Sequence, residues 1–525
     1  MWSNEIFSGP LYLASFLKAR LGEEVDIAFL DLKVDVGKKH AFESPRSGQW
    51  DVFLQAMEHA VNEIMNEKIG GEPGAVFFGI SCLTSEHYPS TLFISLALRT
   101  IQPNATIVVG GYHPSICVDD FLSYGHLFDY IVLGEGEVAF AEIVAKPTGH
   151  RAQSTQPRIV KGKPVANLEE LPEIDFSIFS DYLAFYPSLN LNLSRGCGGR
   201  CAFCMEREVH SQIWRAYPPD RALREIENMV EVGKQYNMKF GFYDPNFAQD
   251  KAWRIKVLEG IISRDLGVEF WGEARFDTLS HSDLNLFARA NVHLLFGLES
   301  GSPTVLTTMR KTTNPTKYLN HFREIVQWSA ELAYPCVMNL LFNHPGETFA
   351  TMQESQEFFL DALHMSPYLL DSSALYRHYP GSYVYTHAEQ YAQELGSSFC
   401  GGRWWHLLRD QRKGGRLNRA SRDLPIRIAF ENYYTYEIER VKMQMENAKD
   451  LGKYDFQTMV QLKAIIDKAQ AELGTLESPS EPVNLNPPHI PEPLWGELEE
   501  IMLEGGQYLT GSLQDKFLPI VTTKS

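Results

Sequence analysis

Three cysteines within eight residues constrain this chain more than any other stretch of it. They stand in Leu193-Ser194-Arg195-Gly196-Cys197-Gly198-Gly199-Arg200-Cys201-Ala202-Phe203-Cys204, a C-x3-C-x2-C loop directly after the apolar run 188–193. Thiolates are the usual ligands of iron–sulfur clusters, and a 4Fe–4S cube normally takes four of them. Three thiolates packed this closely hold three irons and leave the fourth open to a ligand from outside. The glycines at 196, 198 and 199 let a short loop wrap a cube without a Cβ penalty, and Arg195 and Arg200 bring positive charge to its sulfurs. A zinc site and three unrelated thiols are the alternatives. A closed structural zinc site takes four protein ligands, commonly in C-x2-C pairs, and no second pair follows.

Upstream of the loop, residues 1–145 alternate strand and helix. A helix over 9–21 opens at Pro10, and strands are predicted over 25–32, 75–81, 106–110 and 129–133, with helices over 51–65 and up to about 100. Short apolar runs separated by helices predict a parallel, doubly wound sheet. Ligands of such sheets sit beyond the carboxyl ends of the strands. There the sequence places Ser81, Thr84 and Ser85, then Gly110-Gly111-Tyr112-His113, then Gly134-Glu135-Gly136-Glu137. Residues 146–187 are a polar linker in which 158–160 and 163–165 predict a small hairpin across Lys161-Gly162.

From 188 to 385 a strand–helix unit repeats about six times, with strands predicted at 188–193, 239–244, 268–275, 292–298, 335–342 and 373–378. Four strand ends carry marked polar residues. These are Asp244 and Asn246; Glu273 and Arg275; Glu299 and Ser300; and Asn343 with His344 and Glu347. Glu347 reads most simply as a cap on the next helix. Side chains alternate along a strand, so Glu269, Trp271, Glu273 and Arg275 share one face, opposite Val268, Phe270 and Ala274. The apolar face suits the helix layer and leaves the charged face for the barrel interior. There Glu273 and Arg275 either pair with each other or serve the chemistry.

The cysteine loop resembles that of the radical S-adenosylmethionine (radical SAM) enzymes, in which the cofactor's amino and carboxylate groups chelate the open iron. Phe203 matches the aromatic that this family carries beside the adenine. Gly297-Leu298-Glu299-Ser300-Gly301 and Asn343-His344-Pro345-Gly346-Glu347-Thr348 are similar to its strand ends near the sugar, methionine and adenine, although Asn343 and His344 replace the usual Gly-Leu. The glycine and hydroxyl motifs of residues 1–145 resemble the cobalamin-binding domain of the cobalamin-dependent class.

The resemblance implies an α/β chain in three parts. A Rossmann-like cobalamin-binding domain (1–145) and linker (146–187) lead to a partial (β/α)6 TIM-type radical SAM barrel (188–385). A mainly helical region (386–525) of the kind that sets substrate follows. It implies Cys197, Cys201 and Cys204 as metal ligands, and the charged face of the strand predicted at 268–275 offers Glu273 and Arg275 as catalytic residues. It also implies cofactor contacts from Ser81, Thr84, Ser85, Gly110, Gly111, His113, Gly134, Glu135, Gly136, Phe203, Asp244, Asn246, Glu299, Ser300 and Asn343. The cofactors are a 4Fe–4S cluster, S-adenosylmethionine and cobalamin, and the partners a small-molecule or peptide substrate and an external electron donor. The reaction is methyl transfer to an unactivated or aromatic carbon, with the tryptophan C2-methylating type the first to test. A non-methylating radical SAM enzyme and a binding protein with an inactive cluster are the other readings. Glu273 is expected to contact S-adenosylmethionine, act as a base or ligate the open iron.

Two departures from that class stand out. Its first strand, central to the sheet, should precede Gly9-Pro10-Leu11-Tyr12, where only residues 1–8 stand, so the expectation is a missing segment or a gap in the sheet. No D-x-H-x-x-G occurs, so the lower face of cobalt is expected to lack histidine, with His87 and His113 read as turn or surface residues.

Composition limits the partners and the setting. A formal charge of −18 argues against a nucleic-acid backbone. The local exception is Arg409, Arg412, Lys413, Arg416, Arg419, Arg422 and Arg427, read as a solvated arm or docking surface. Seven cysteines, three in one loop, are no disulfide framework, and Cys82, Cys117, Cys336 and Cys400 read as buried small residues. With no run near 18 apolar residues, the chain is placed in a reducing cytoplasm and off the membrane. Helices are predicted over 425–446, 454–473 and 494–504 around a Pro-rich piece, and Tyr433, Tyr434 and Tyr436 are read as helix-face core.

Overall fold

The computed structural model describes residues 8–38, 50–69, 73–146, 156–206, 209, 213–399, 403–406, 418–452, 456–474 and 517–524. Cys400, residues 407–417 with most of the basic segment, and the Pro-rich piece with the helix predicted at 494–504 lie outside them.

The first sheet contains β1 (Val25–Asp31), β2 (Pro73–Ser81), β3 (Thr106–Gly110), β4 (Tyr130–Leu133) and β5 (Arg158–Lys161). Strands β2 to β5 run parallel, as the short apolar runs predict. The hairpin expected at 158–165 does not form. Instead β5 lies parallel to β4, pairing Arg158 with Tyr130 and Lys161 with Leu133. Gly162 continues that line by donating its N–H to the Leu133 carbonyl at 2.7 Å, so it extends a sheet where a turn was expected.

The seat expected to be vacant in this sheet is filled from the other end of the chain. Strand β17 (Phe517–Lys524) inserts between β1 and β2, antiparallel to both, and the sheet order is β1-β17-β2-β3-β4-β5. The last described strand of the 386–525 region therefore leaves the helices and joins the first sheet. Sequence reasoning missed it because a lone apolar run after a Pro-rich piece carries no signal of its partner.

The second sheet is a curled half-barrel of parallel strands. Its order is β13-β12-β11-β10-β9-β6, from β6 (Ser188–Leu191), β9 (Lys239–Phe242), β10 (Phe270–Ala274), β11 (Val292–Glu299), β12 (Cys336–Phe342) and β13 (Leu369–Asp371). The short β14 (Ala374–Leu375) extends the edge beside β12. Small antiparallel pairs form between β7 (Ser194–Arg195) and β8 (Arg215–Ala216), and between β15 (Ser398–Phe399) and β16 (Asn418–Arg419). Helices Pro219–Lys234, Lys251–Arg264, His281–Arg289, Pro315–Glu331 and Phe349–Met365 cover the outer face. The alternation along β10 holds. Phe270 and Ala274 are buried with the helix layer, where Phe270 stacks on Phe242 at 5.1 Å. On the other face Trp271 pairs in register with Gly241 and His293.

The long helix Ile426–Asp450 packs Tyr433 and Tyr436 against Phe342 at the barrel edge, as the core reading expects. The preceding arm docks on the first sheet's helices. Trp404 and Trp405 are fully buried, and Trp405 Nε1 and Arg403 each reach an oxygen of Asp120 at 2.6 Å. No helix among the described residues is long and apolar enough to cross a membrane.

Candidate functional site

The three cysteine sulfurs converge. A Cβ added at Gly199 would lie 3.3 Å from Cys197 Sγ and 3.9 Å from Cys201 Sγ. Burial first, with the charges of Cys201 and Cys197 adding to it, raises the Cys204 thiol to about 12. Each sulfur accepts one hydrogen bond: Cys197 from the Gly199 amide (3.3 Å), Cys204 from the Glu206 amide (3.5 Å) and Cys201 from Arg275 Nη1 (3.4 Å). Gly196 makes the turn possible at φ +83°, where a Cβ would lie 2.1 Å from the Ile213 carbonyl oxygen. The far side of the loop is pinned by Ala202, whose N–H donates to Met309 and whose carbonyl accepts from Val384.

The strand ends around this loop divide into groups that hold it and groups that face inward. Asp244 is fully buried, accepts hydrogen bonds from the Ser194 hydroxyl and the Leu193 amide, and is raised by burial to about 7. Asn246 accepts from the Arg275 amide at 3.0 Å and donates to Gln249, which accepts from the Gly198 amide. Arg275 pairs with Asp277 through two bonds of 3.1 and 2.7 Å, and not with Glu273. Glu299, at φ +73°, pairs with buried Lys311 at 2.9 Å. Ser300 shares a buried hydroxyl bond with Ser355 at 2.7 Å. Glu273 is left with no ion-pair partner among the described residues; burial first, and Glu299 second, hold its carboxyl above the ordinary range.

Beside Phe203 the Asn343-His344 turn is fully buried. Asn343 sits at φ +62° and donates its N–H to Glu347. Glu347 is raised by burial to about 8, and Thr348, rather than Glu347, caps the following helix. The His344 ring meets Phe203 edge-on at 6.3 Å and Tyr376 at 5.2 Å, and burial lowers its pKa to about 3. Its Nδ1 lies 2.9 Å from the Pro345 oxygen, while its buried Nε2 has no hydrogen-bond partner among the described residues.

A cavity of about 480 Å³ opens at the carboxyl ends of β2, β3 and β4. Ser81, Thr84, Gly110, Gly111, Gly134, Glu135 and Gly136 line it, as the sequence predicts. His87, expected at a turn or surface, lines it too. Ser85 and His113 do not. They form a buried pair behind the wall, with Ser85 Oγ 3.0 Å from His113 Nδ1, and His113 Nε2 3.3 Å from Asp120. His113 is thus a core residue, its pKa lowered by burial. His113, Cys117 and Asp120 place ligand-type atoms within 4.8 Å of one another, but Arg403 and Trp405 already occupy both Asp120 oxygens.

The opposite wall of the same cavity is the cysteine loop and its neighbours: Asn192, Ser194, Arg195, Met205, Tyr243 and Pro245. Several bonds tie the walls together, among them those of Arg215 to Glu135 and of the Tyr12 hydroxyl to the Asn192 carbonyl at 2.8 Å. Arg195 meets Glu137 at 2.5 Å and Glu135 at 3.1 Å, so its charge turns from the sulfurs, where it was expected, to the first sheet. Tyr112 donates to Glu206 at 2.7 Å.

Residues 9–144 match the B12 binding domain family and residues 191–359 the radical SAM superfamily. The chain joins a B12 binding domain to a radical SAM domain. Its curated relatives include the anaerobic magnesium-protoporphyrin IX monomethyl ester cyclase of Synechocystis sp., 27% identical over 48% of this chain and 53% of that one. The hopanoid C-3 methylase of Methylococcus capsulatus is 23% identical over 55% of this chain and 56% of that one. The chain thus spans little more than half of either relative. Among solved structures, the cobalamin-dependent S-adenosylmethionine radical enzyme OxsB with aqua-cobalamin superposes at a TM-score of 0.56, with 15% identity, 81% of this chain and 66% of that one. The radical S-adenosylmethionine methyltransferase TsrM from Kitasatospora setae, with cobalamin and a 4Fe–4S cluster, does so at 0.55, with 15% identity, 80% of this chain and 92% of that one.

The two domains imply cobalamin, S-adenosylmethionine and a 4Fe–4S cluster, and the side chains suit them. Three convergent sulfurs, each already receiving an N–H, suit a cube held at three corners. The glycine-lined crevice of the B12 binding domain lies where doubly wound sheets bind ligands. Three features went unread in the sequence: the Arg195 and Tyr112 bridges, the Arg275–Cys201 bond and the unpartnered His344 Nε2. The first two pair residues far apart in the chain, and the departure from Gly-Leu at 343–344 marked the third in advance.

Proposed function

We propose that the protein is a cobalamin-dependent radical SAM methyltransferase. It moves a methyl group from S-adenosylmethionine, by way of cobalamin, to an unactivated or aromatic carbon of a small-molecule or peptide substrate in the cytoplasm. The observation that carries this reading is the shared cavity: one wall is the strand ends of the B12 binding domain, and the other runs from Asn192 through the cysteine loop to Met205. A methylase and a methyltransferase among the relatives and structural neighbours support it.

When bound, the cluster supplies an electron to S-adenosylmethionine and cobalamin supplies a methyl carrier; the protein positions them and excludes water. Cys197, Cys201 and Cys204 would hold the cluster, with Arg275 steadying Cys201. Phe203 and Asn343 would flank the adenine, and Glu299 would lie toward the sugar. Glu273 holds a proton at its carboxyl more readily than an exposed glutamate does, and is the group proposed to touch substrate or S-adenosylmethionine.

A second reading, a non-methylating cyclisation, is favoured by the cyclase relatives. Turnover with deuterated-methyl S-adenosylmethionine decides between them, with tryptophan as the first substrate and a low-potential reductant as electron donor. The methyl-transfer reading predicts a product carrying the label. A substrate consumed without gaining label overturns it in favour of cyclisation.

A further inference from the structure

Strand β17 does more than fill a seat. In doubly wound sheets the ligand crevice forms where the strand order reverses. Here β1 to β5 follow one another across the sheet without a reversal, and β17 enters between β1 and β2, beside the crevice at the ends of β2, β3 and β4. Asp31, at the carboxyl end of β1, pairs with Phe517, so the start of β17 lies at the ligand end of the sheet. Leu518 and Ile520 are fully buried in one apolar layer with Phe78 and Ile80, and Val521 in the opposite layer with Phe77 and Val108. Such burial on both faces marks a central strand.

Pro519 is the unusual residue. A proline donates nothing to a ladder and is rare inside a sheet. The β17–β2 register runs from Thr522–Val76 to Ile520–Phe78 and stops there. Next along, the Pro519 ring replaces an N–H, with its Cγ 2.9 Å from the point a Cβ on Gly79 would occupy. Gly79 makes room for that ring, and both residues line the cavity with Ser81, Gly110 and Gly134. The B12 binding family match ends at residue 144, far from Pro519.

We propose that β17 is part of the cobalamin seat, with Pro519 forming wall against the bound corrinoid, so that retention of cobalamin requires this strand in register between β1 and β2. The inference rests on the reading of the cavity as the cobalamin site and deepens it, by assigning to that site a segment outside the B12 binding domain.

The test begins with hydrogen–deuterium exchange on the anaerobically purified, cobalamin-loaded protein. Amides of 518 and 520–523 should exchange as slowly as those of β2; exchange at the rate of a free chain would overturn the proposal. Two variants then probe the wall. Pro519→Trp overfills it and should cut cobalamin retained through gel filtration about tenfold or more, with iron content unchanged. Pro519→Ala, which trims the wall without crowding the sheet, should raise the cobalamin Kd about three- to tenfold with slow exchange at 520–523 kept. An unchanged Kd in Pro519→Ala, or wild-type retention in Pro519→Trp, would overturn the proposal. Wild-type protein that takes up no cobalamin would overturn the reading of the cavity as well, a result distinct from a seated strand whose variants bind normally.

Discussion

The two cofactor seats are built in opposite ways. The cluster seat is local: its three sulfurs come from eight consecutive residues, and among the described residues Arg275 is the one distant side chain that donates to a sulfur. The proposed cobalamin seat is a cavity lined by β2, β3, β4, the first helix, the cysteine loop and a strand some 400 residues later. A seat written in one loop is fixed by residue type and spacing. A seat assembled by topology depends on which strands lie side by side. The two should therefore fail independently, except where groups such as Arg195, Arg215, Tyr12 and Tyr112 join them.

The largest effect tests that independence. Cys201→Ala removes one of three ligands, and iron and sulfide should fall to background, with loss of all turnover. Cobalamin content, read from the visible spectrum, should stay at the wild-type level. Parallel loss of cobalamin would show that the seats are one unit.

Glu273→Gln comes next, and asks whether the barrel interior holds chemistry or only cofactors. General acid–base groups contribute about 10²- to 10⁴-fold, and turnover should fall within that range. Iron and cobalamin should be unchanged, and a raised Kd for S-adenosylmethionine would assign the Glu273 contact to that cofactor rather than to substrate. Loss of iron in this variant would make Glu273 a ligand of the open site.

What the sequence showed follows the same division. The cysteine spacing, the half-barrel strands and the glycines at 110, 111, 134 and 136 were legible, because each is a local pattern with a local cause. The inward face of β10 was legible from alternation alone. Glu273's separation from Arg275 was not, since Asp277, two residues along, takes the guanidinium. The hairpin at 158–165 was misread because Lys-Gly suits a turn as well as a straight run. Nothing in 517–524 announced β17, because pairing partners across a sheet leave no mark in a single sequence.

Arg195→Ala breaks the main link between the seats. It strips a buried guanidinium from Glu137, while Glu135 keeps Arg215 as a partner, so the cost lies toward the lower end of the range of about 3–5 kcal/mol for breaking a buried pair. The melting temperature should drop by several degrees, and turnover should fall even where iron and cobalamin are retained. An unchanged melting temperature would mean the walls are held by their remaining contacts.

A pH series tests the adenine side of the barrel. Glu347 rises by burial from 4.5 to about 8, so the folded state keeps a proton that the unfolded state releases. Its contribution is fully present below pH 4.5 and is lost as pH rises through about 8, with a slope of up to ~1.4 kcal/mol per pH unit in between. Glu347→Gln should flatten that part of the stability profile and leave the cobalamin spectrum alone. A profile identical to wild type would place the ionised carboxylate in the folded state at neutral pH.

The smallest effect is the most exacting for the idea of two independent seats. Tyr112→Phe deletes one hydroxyl, bonded at 2.7 Å to a carboxylate whose own amide donates to Cys204 Sγ. A hydrogen bond to a charged group contributes about 1.5–3 kcal/mol, and the ring, which carries the packing, remains. Stability should fall by about the lower of those figures, with iron and cobalamin contents unchanged. Burial already holds the Tyr112 hydroxyl well above its ordinary pKa, with Glu206 next in effect, so the bond persists to alkaline pH and the variant should lose the same amount at pH 6 and pH 9. If iron content falls instead, the bond carries strain from the cobalamin wall into the cysteine loop, and loading of one cofactor would then depend on the other.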